Sequence, residues 1–563
     1  MSRSPSLGSR SYNSVLDFKS GSAGVGGAGV SPLNSPSSSS ESGKSQQGWI
    51  IQKFGGTSVG KFSEEIVEKI VKVFNQRNKV AVVCSARSSN TKSEGTTSRL
   101  IRSADLASNN LDFETVLEVI EQDHIENCCS KINSKAIRKQ LERDIKFEIE
   151  HGRELLHACQ VIGEISPRSL DSIMSMGEKL SCLYMTALMQ DRDLNAVYIN
   201  LSELIPVNYN FNNGFDDAFY SFISEEIEKR IRQVTENDGG EDVIPVITGY
   251  FGVVPGGLLN GAGRGYTDLC AALAAVGVQA EELQIWKEVD GIFTADPRKV
   301  PNARLLDSVT PEEAAELTYY GSEVIHPFTM EQVIKAKIPI RIKNVENPKG
   351  KGTMIYPDNI ARRGEETPPH PPAAYETLTS SYISSHKKRS ATAITAKQDI
   401  VVINIHSNKK TLSHGFLAQV FITLDKYKLV VDLISTSEVH VSMALSVQIE
   451  QEMQLKNAIQ ELKKMGSVDV TKKMTIISLV GKQMVNFIGI AGNMFKILAD
   501  ERINIEMISQ GANEINISAV INEKDTLRAL RAVHAHLLEG NHFFYESECA
   551  SAVDVRLEAL RMQ

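Results

Sequence analysis

Apolar residues along the chain fall into two rhythms. Between Glu64 and Gln76, Ile66, Val67, Ile70, Val71 and Phe74 recur at the spacing of an amphipathic helix, and short apolar runs at Trp49–Phe54 and Val80–Cys84 frame them as strands. A strand, a glycine-bearing turn, a helix and a second strand within about 35 residues make a βαβ unit. Further strand-like runs at Val243–Thr248 and Leu283–Glu288 flank an alanine-rich helix, Asp268–Val278, so the alternation predicts an α/β domain. The stretch from Leu106 to Asp193 reads as mostly helical.

The rhythm stops in two places. Residues 1–47 hold 16 Ser, 7 Gly and 3 Pro, which makes 26 of 47 positions that gain little by folding, and this arm is expected to be disordered. Its arginines lie on no amphipathic pattern, so it reads as a tail of a cytoplasmic protein in preference to an organelle transit peptide. A second break, Ala361–Ser390, carries Thr367-Pro368-Pro369-His370-Pro371-Pro372 and the basic run His386–Arg389, and reads as a linker. Beyond it the sequence repeats. Gly415, Phe421, Leu424, Ile434 and Ser435 recur as Gly489, Phe495, Leu498, Ile508 and Ser509, each 74 residues on, and Asp432 recurs as Glu506. Each copy predicts a helix (416–427; 490–502), a strand (429–434; 503–508) and an alternating strand. Two copies are too few for a solenoid, so they read as a paired sensor module.

Composition narrows the function classes. The chain has 563 residues with 61 Lys+Arg against 69 Asp+Glu, a net charge of −8, and so no global basic field for nucleic acid or anionic lipid. No run approaches the apolar length of a membrane span. The seven cysteines are scattered without a C-x-x-C pair, which fits neither a disulfide framework nor a structural zinc site. A reduced intracellular setting follows as the expectation.

Three segments carry candidate chemistry. Gly55-Gly56-Thr57-Ser58-Val59-Gly60-Lys61 has the G-x-x-x-x-G-K spacing, but Phe62 stands where a P-loop needs a hydroxyl for magnesium. The loop still offers clustered amides at a helix start, and Lys53 sits on its lip, where an ammonium can neutralise phosphate charge. Gly256–Gly265 opens into the helix after Thr267 and Asp268, with Arg264 presenting a planar fork suited to a carboxylate or phosphate. Lys287–Arg298 mixes acidic and basic groups with Asp-Gly and Asp-Pro turns, and alone is consistent with ribose, metal or phosphate contacts. His326 is assigned no role.

Lys53-Phe54-Gly55-Gly56-Thr57-Ser58-Val59 resembles the opening motif of the aspartate kinase family. Gly177-Glu178-Lys179-Leu180-Ser181, Gly263–Asp268 and Glu288–Arg298 resemble its later motifs, and the repeat resembles tandem ACT domains. The resemblance covers nearly all of residues 49–545. It implies an amino-acid kinase fold, an αβα sandwich of the α/β class, followed by two βαββαβ-type ACT domains. The implied division is 1–47 arm, 48–357 catalytic domain, 358–392 linker, 393–473 and 474–550 ACT domains, and 551–563 tail.

The same resemblance implies transfer of a phosphoryl group from ATP, with Mg2+, to L-aspartate, giving 4-phospho-L-aspartate for the aspartate-derived amino acids. Lys53 and Asp268 take the catalytic roles. ATP would be held by Lys53, Phe54, Gly55, Gly56, Lys287, Glu288, Phe293, Arg298, Glu323 and Val324, and no metal ligand is assigned among the side chains. Aspartate would meet Thr97, Glu178, Arg264, Gly265, Tyr266 and Thr267, with Arg264 on its α-carboxylate and Glu178 on its ammonium. Glu288, Phe293 and Glu323 depart from the Asp, Tyr and Lys common in relatives, and Tyr266 replaces a small residue.

An effector would bind at Ser413, His414 and Gly415 with Val431, Asp432, Thr436 and Ser437, and in the second copy at Gln510, Asn513 and Asn516. The polar insertion Arg87–Gly95, the Glu288/Phe293 pair, the long linker and the lack of a fused dehydrogenase resemble the fungal branch. Threonine is therefore the favoured feedback effector and lysine the alternative, acting on an ACT-paired homodimer or larger assembly, with no nucleic-acid or membrane partner. Two other classes remain open on the residues: a kinase of the same fold acting on a glutamate-type substrate, and a catalytically silent amino-acid sensor.

Overall fold

The computed structural model describes residues 48–88, 94–206, 208–211, 214–237, 242–259, 265–321, 325, 327–357, 391–407, 415–437, 440–447, 451–486, 489–511 and 515–539. The expected arm, most of the linker, Arg264, Glu323, Val324, Ser413, His414, Asn513 and the tail lie outside them.

The first strand, β1 (Trp49–Phe54), runs into helix α1 (Gly56–Glu65), which continues through a wide π-type turn (Ile66–Val71) to Asn75, and then into β2 (Lys79–Cys84). The helix thus starts eight residues before the apolar rhythm does, because Gly56–Gly60 carries no apolar stripe to announce it. Four helices follow: α2 (Thr96–Ser108), α3 (Glu114–Asn127), α4 (Lys135–Ile162) and α5 (Pro167–Asp191). After them come β3 (Ala196–Ile199), α6 (Asp217–Asn237), β4 (Ile244–Thr248), α7 (Tyr266–Gly277) and β5 (Glu282–Lys287). The first unit closes with β6 (Ser308–Val309), α8 (Pro311–Tyr319), α9 (Pro327–Lys335), β7 (Ile340–Asn344) and β8 (Thr353–Ile355).

These strands form one eight-stranded sheet in the order β3-β4-β2-β1-β5-β7-β8-β6, parallel except for the β7–β8 pair. Central strands read as unbroken apolar runs because helices cover both faces. On one face Ile66, Ile70, Leu100, Leu117, Ile145 and Leu180 pack from α1 to α5. On the other, Ile223, Ile227, Leu273, Leu317 and Val333 pack from α6 to α9. The αβα sandwich is as expected.

The second sheet has six strands in the order β10-β11-β9-β12-β14-β13. In chain order its elements are β9 (Ala393–Ser407), α10 (Phe416–Lys426), β10 (Val431–Thr436), β11 (His440–Ser446), α11 (Glu452–Leu462) and β12 (Gly466–Val480). Then follow α12 (Ile490–Asp500), β13 (Ile505–Ser509), β14 (Asn516–Asn522) and α13 (Thr526–Val533), which runs on through a π-type turn, His534–Glu539. The repeat is visible in the backbone. Gly415 and Gly489 enter α10 and α12 with φ of 82° and 87°, a region that favours glycine.

A clean sequential division at residue 473 does not describe how the sheet is shared. Residues 400–406 of β9 pair with β11 in the first copy, whereas 393–397 pair with 476–480 of β12 beside β14 in the second. The second copy therefore takes its last strand from the beginning of β9. No repeat marks it in the sequence, because that strand precedes the first copy.

Helices α6 and α7 cross so closely that a Cβ at Gly277 would lie 2.3 Å from the Ser224 carbonyl oxygen. Gly277→Ala is expected to destabilise the first unit by about 1–3 kcal/mol, read as a lower thermal midpoint. Ligand binding by the folded protein at 25 °C should be unchanged, since the crossing touches no candidate site residue.

Candidate functional site

In a parallel sheet the loops after the carboxyl ends of neighbouring strands gather at one edge. Here β4, β2, β1 and β5 are adjacent and parallel, with Lys53 beside Val83 and Ile285, and Phe54 beside Cys84 and Trp286. The glycine loop after β1, the loop from Ser85 after β2, the glycine-rich segment after β4 and the Lys287–Arg298 segment after β5 thus open on the same edge. Every motif singled out in the sequence of the first unit, except Gly177–Ser181, is one of these loops.

Lys53, the penultimate residue of β1, is 9% exposed, and its Nζ lies 2.6 Å from Asp268 Oδ1 in the first turn of α7. Beside this pair stands Glu178 of α5, 1% exposed, with Oε1 accepting a 2.6 Å hydrogen bond from the Thr267 hydroxyl. Burial pushes the Glu178 carboxyl up to about 7, while Thr267, the Tyr266 hydroxyl and the Lys53 charge pull it back. Its Oε2 has no hydrogen-bond partner among the described residues. A buried carboxylate oxygen without a donor is costly, so the arrangement is set to receive one. Burial likewise drives the Tyr266 phenol well above its ordinary range, with the Glu178 charge adding to it, so the hydroxyl stays a donor.

Two glycines of the first loop serve packing. A Cβ at Gly56 would lie 2.0 Å from the Ala86 carbonyl oxygen, and one at Gly60 1.9 Å from that of Ser88, whereas Gly55 meets only Ser58 Oγ at 3.9 Å. The loop after β2 therefore presses onto α1, and of these three glycines Gly55 is the one whose missing side chain leaves space. Gly177 is constrained in the same way by Ala86 and by Thr96, which is 2% exposed at the start of α2, while Thr97 beside it is half-buried. Gly265 caps the amino end of α7.

The nucleotide-segment candidates separate. Glu288, itself exposed, accepts a 2.7 Å bond from Ser58, which ties this segment to the glycine loop. Lys287 ends β5 half-buried, its carbonyl accepting the Val345 amide. Phe293 is half-buried in a bridge to Leu305. Arg298 turns out to solvent, its side chain 88% exposed and paired with Asp296 at 3.0 Å. Asp290, an acidic candidate for ribose or metal, instead accepts Asn344 and Asn347 at 3.2 Å.

Sequence reasoning missed Asp171. It lies seven residues before Glu178 on the same face of α5 and accepts the Leu258 amide and, at 3.3 Å, the Leu259 amide, anchoring the segment that leads to Thr267. The i, i+7 spacing of the two acids was the available signal. Ser181, one turn beyond Glu178, accepts the Arg87 amide at 2.7 Å and fixes the loop after β2.

In the second sheet Asp432 is paired with Lys397 Nζ of β9 at 2.6 Å, and that ammonium lies 4.9 Å from the ring centre of Tyr319 in α8. Asp432 Oδ2 has no hydrogen-bond partner among the described residues. Val431 is half-buried, Thr436 and Ser437 are exposed, and the Ser437 amide donates to the His440 carbonyl at 2.8 Å. Gln510 is exposed, but Asn516 is 3% exposed and donates to Glu316 of α8. Helix α8 also sends the buried Glu313 carboxylate to the Thr392 hydroxyl at 2.7 Å and the Lys482 amide at 2.9 Å. One helix of the first unit therefore touches both copies of the second.

Among the described residues no group of three His, Cys, Asp or Glu side chains is placed to hold a metal ion, and no helix is long and apolar enough to cross a membrane.

Residues 48–344 match the Amino acid kinase family and residues 477–537 an ACT domain. The chain is 74% identical over 563 residues to the Aspartokinase of Candida albicans, covering 100% of both chains. It is 60% identical over 522 residues to that of Saccharomyces cerevisiae, covering 92% of this chain and 98% of the relative. Its fold matches E. coli aspartokinase III solved with aspartate and ADP, at TM-score 0.64 and 24% identity, covering 87% of this chain and 99% of that one. The same enzyme solved with lysine and aspartate matches at TM-score 0.66 and 23% identity over 88% of this chain and 100% of that one.

The Glu178 environment yields a measurable titration. A carboxyl-specific infrared or NMR titration of the unliganded protein should show one carboxyl group with its midpoint near 7, absent in Glu178→Gln. Thr267→Val removes a donor to the ionised form, so the midpoint should move further up.

Proposed function

We propose how the site residues share their work on the premise that the chain belongs to the aspartokinase family. It is an aspartate kinase, an ATP-using enzyme that phosphorylates a carboxyl group of aspartate. The attacking group is already a carboxylate, so no strong general base is needed, and catalysis reduces to positioning and charge neutralisation. The observation that carries the residue assignment is the Lys53–Asp268 pair standing beside a buried Glu178, one oxygen of which has no donor among the described residues.

In this reading Lys53 neutralises charge on the phosphate oxygens as the phosphoryl group moves, and Asp268 aims it. The amides of Gly55 and Gly56 receive phosphate oxygens at the start of α1, with Phe54, Lys287, Glu288 and Phe293 along the nucleotide; Glu323 and Val324 belong to the same set. Arg298 is the weakest member, since it pairs with its neighbour Asp296 in solvent. Glu178 takes the aspartate ammonium on Oε2, while Arg264 takes the α-carboxylate, and Thr97, Gly265, Tyr266 and Thr267 complete the pocket. Mg2+ would arrive on the nucleotide phosphates with its own waters, and Asp268 would be the carboxylate to meet its charge.

For regulation we assign catalysis to residues 48–357 and sensing to the repeat, with threonine as effector. Its ammonium would compete with Lys397 for Asp432, while Gly415, Ser413, Thr436 and Ser437 meet its carboxylate and hydroxyl. Gln510 and Asn513 extend the same chemistry to the second copy; Asn516 serves it only by leaving Glu316. The exposed apolar side chains Leu417, Phe421 and Ile422 of α10, with Val430 and Ile434, support a homodimer through this sheet. The six cysteines among the described residues, buried and with free thiols, support a cytoplasmic, reducing setting.

Lys53→Ala should lower kcat for hydroxamate formation from aspartate by about 10²–10³-fold while leaving the circular dichroism spectrum unchanged; equal product from wild type and variant would remove the assignment. Saturating threonine should raise the aspartate concentration needed for half-maximal rate by at least about fivefold. Superimposable curves with and without it would exclude threonine as effector.

A further inference from the structure

The segment that follows β5 is gripped from the far end of the chain. The Thr294 carbonyl accepts the Ile394 amide of β9 at 2.8 Å, the Arg304 guanidinium donates to the Leu538 carbonyl at 2.5 Å, and Arg531 donates to the Lys299 carbonyl at 3.0 Å. Ala295 and Val300 are buried in one apolar cluster with Ile394, Ile477, Leu537 and Leu538. At the centre is His534, fully buried, with Nε2 at 2.8 Å from Thr294 Oγ1 and Nδ1 at 2.8 Å from Glu539 Oε1.

The partners orient the ring. Thr294 Oγ1 accepts the Arg304 amide at 2.9 Å, and an amide nitrogen only donates. A carboxylate only accepts, so His534 carries its proton on Nδ1 toward Glu539. With that single proton on the imidazole, the Thr294 hydroxyl donates to Nε2, and every polar atom of the relay is satisfied. This relay has the arrangement of a hydroxyl, an imidazole and a carboxylate, but its imidazole is fully buried in the seam against the second sheet and only the Glu539 end meets solvent, away from the candidate site. Its output is mechanical. Thr294 is the immediate neighbour of Phe293, which bridges to Leu305. The Thr294 amide donates to the Arg304 carbonyl at 2.8 Å and its hydroxyl accepts the Arg304 amide, so holding Thr294 holds the two short stretches of chain that carry Phe293 and Leu305.

We propose that His534 is a positioning residue for the nucleotide: through Thr294 it sets the placement of the Lys287–Arg298 segment, so that the last helix of the regulatory unit tunes ATP binding. The inference rests on the reading that this segment binds ATP. It requires no contact between His534 and substrate, and it does not involve the Asp432 region.

The test measures KM for ATP and for aspartate, kcat and thermal midpoint in the full-length enzyme for Thr294→Val, Thr294→Ser and His534→Gln, with Phe293→Ala as a control on the segment itself. Thr294→Val and His534→Gln are expected to raise KM for ATP on the order of tenfold, with KM for aspartate within about twofold. Thr294→Ser, which keeps the hydroxyl, should restore the wild-type value. If His534→Gln does not fold, Thr294→Val and the surface variant Arg531→Ala carry the same comparison. A lower thermal midpoint with both KM values unchanged, or both shifted alike, would overturn the inference. Phe293→Ala separates the two failures: if it raises KM for ATP while the relay variants do not, the inference falls and the segment reading stands; if none of them does, both fall.

Discussion

The arrangement depends on one constraint, the parallel alignment of β4, β2, β1 and β5. Parallel neighbours deliver their carboxyl ends to the same edge, and four loops that are distant in sequence meet there without any of them needing to be long. A lysine at the end of β1 reaches an aspartate in the first turn of α7 because α7 leads into β5, the strand beside β1. The buried character of those strands follows from the same alignment, since crossover helices must cover both faces. Burial in turn raises the Glu178 carboxyl, so fold topology and site electrostatics have a common origin.

Much of this was legible because it is local. The glycine run after Trp49–Phe54, the helix opening at Thr267–Asp268 and the Asp-Gly turn after β5 each announce themselves within a dozen residues. The constant 74-residue offset revealed two copies of one unit, and the matching positive φ of Gly415 and Gly489 shows why a glycine recurs at that place. The illegible parts are the long-range ones. Nothing near Asp171 says that its oxygens will hold the Leu258 and Leu259 amides, and the His534–Thr294 contact spans 240 residues. The glycines at 56 and 60 were legible as a motif but not in their reason, which is the approach of the backbone after β2.

Helix α8 gives the two sheets a shared part. Glu313 satisfies its own capping box through Thr310 and also accepts the Thr392 hydroxyl and the Lys482 amide, so one buried carboxylate closes a helix end and docks a second sheet. Removing it would leave several donors buried without an acceptor, which is the costly way to break such a network. Beside it, Tyr319 lies over the Lys397 ammonium that pairs with Asp432, and Glu316 accepts from Asn516. The polar residues that suit an amino-acid effector are thus near those that hold the catalytic unit in place.

The exchange of strands between β9 and β12 has a consequence for inheritance and for engineering. A segment beginning at residue 474 contains a recognisable ACT domain by sequence, yet it would lack the strand supplied by residues 393–397 and would leave one side of β12 unpaired, an open template for association with other chains. The first copy is in effect nested inside the second. Recombination that swaps one copy between relatives must therefore move residues 393 onward as one block, so the two copies travel together and are free to diverge only by point substitution within it.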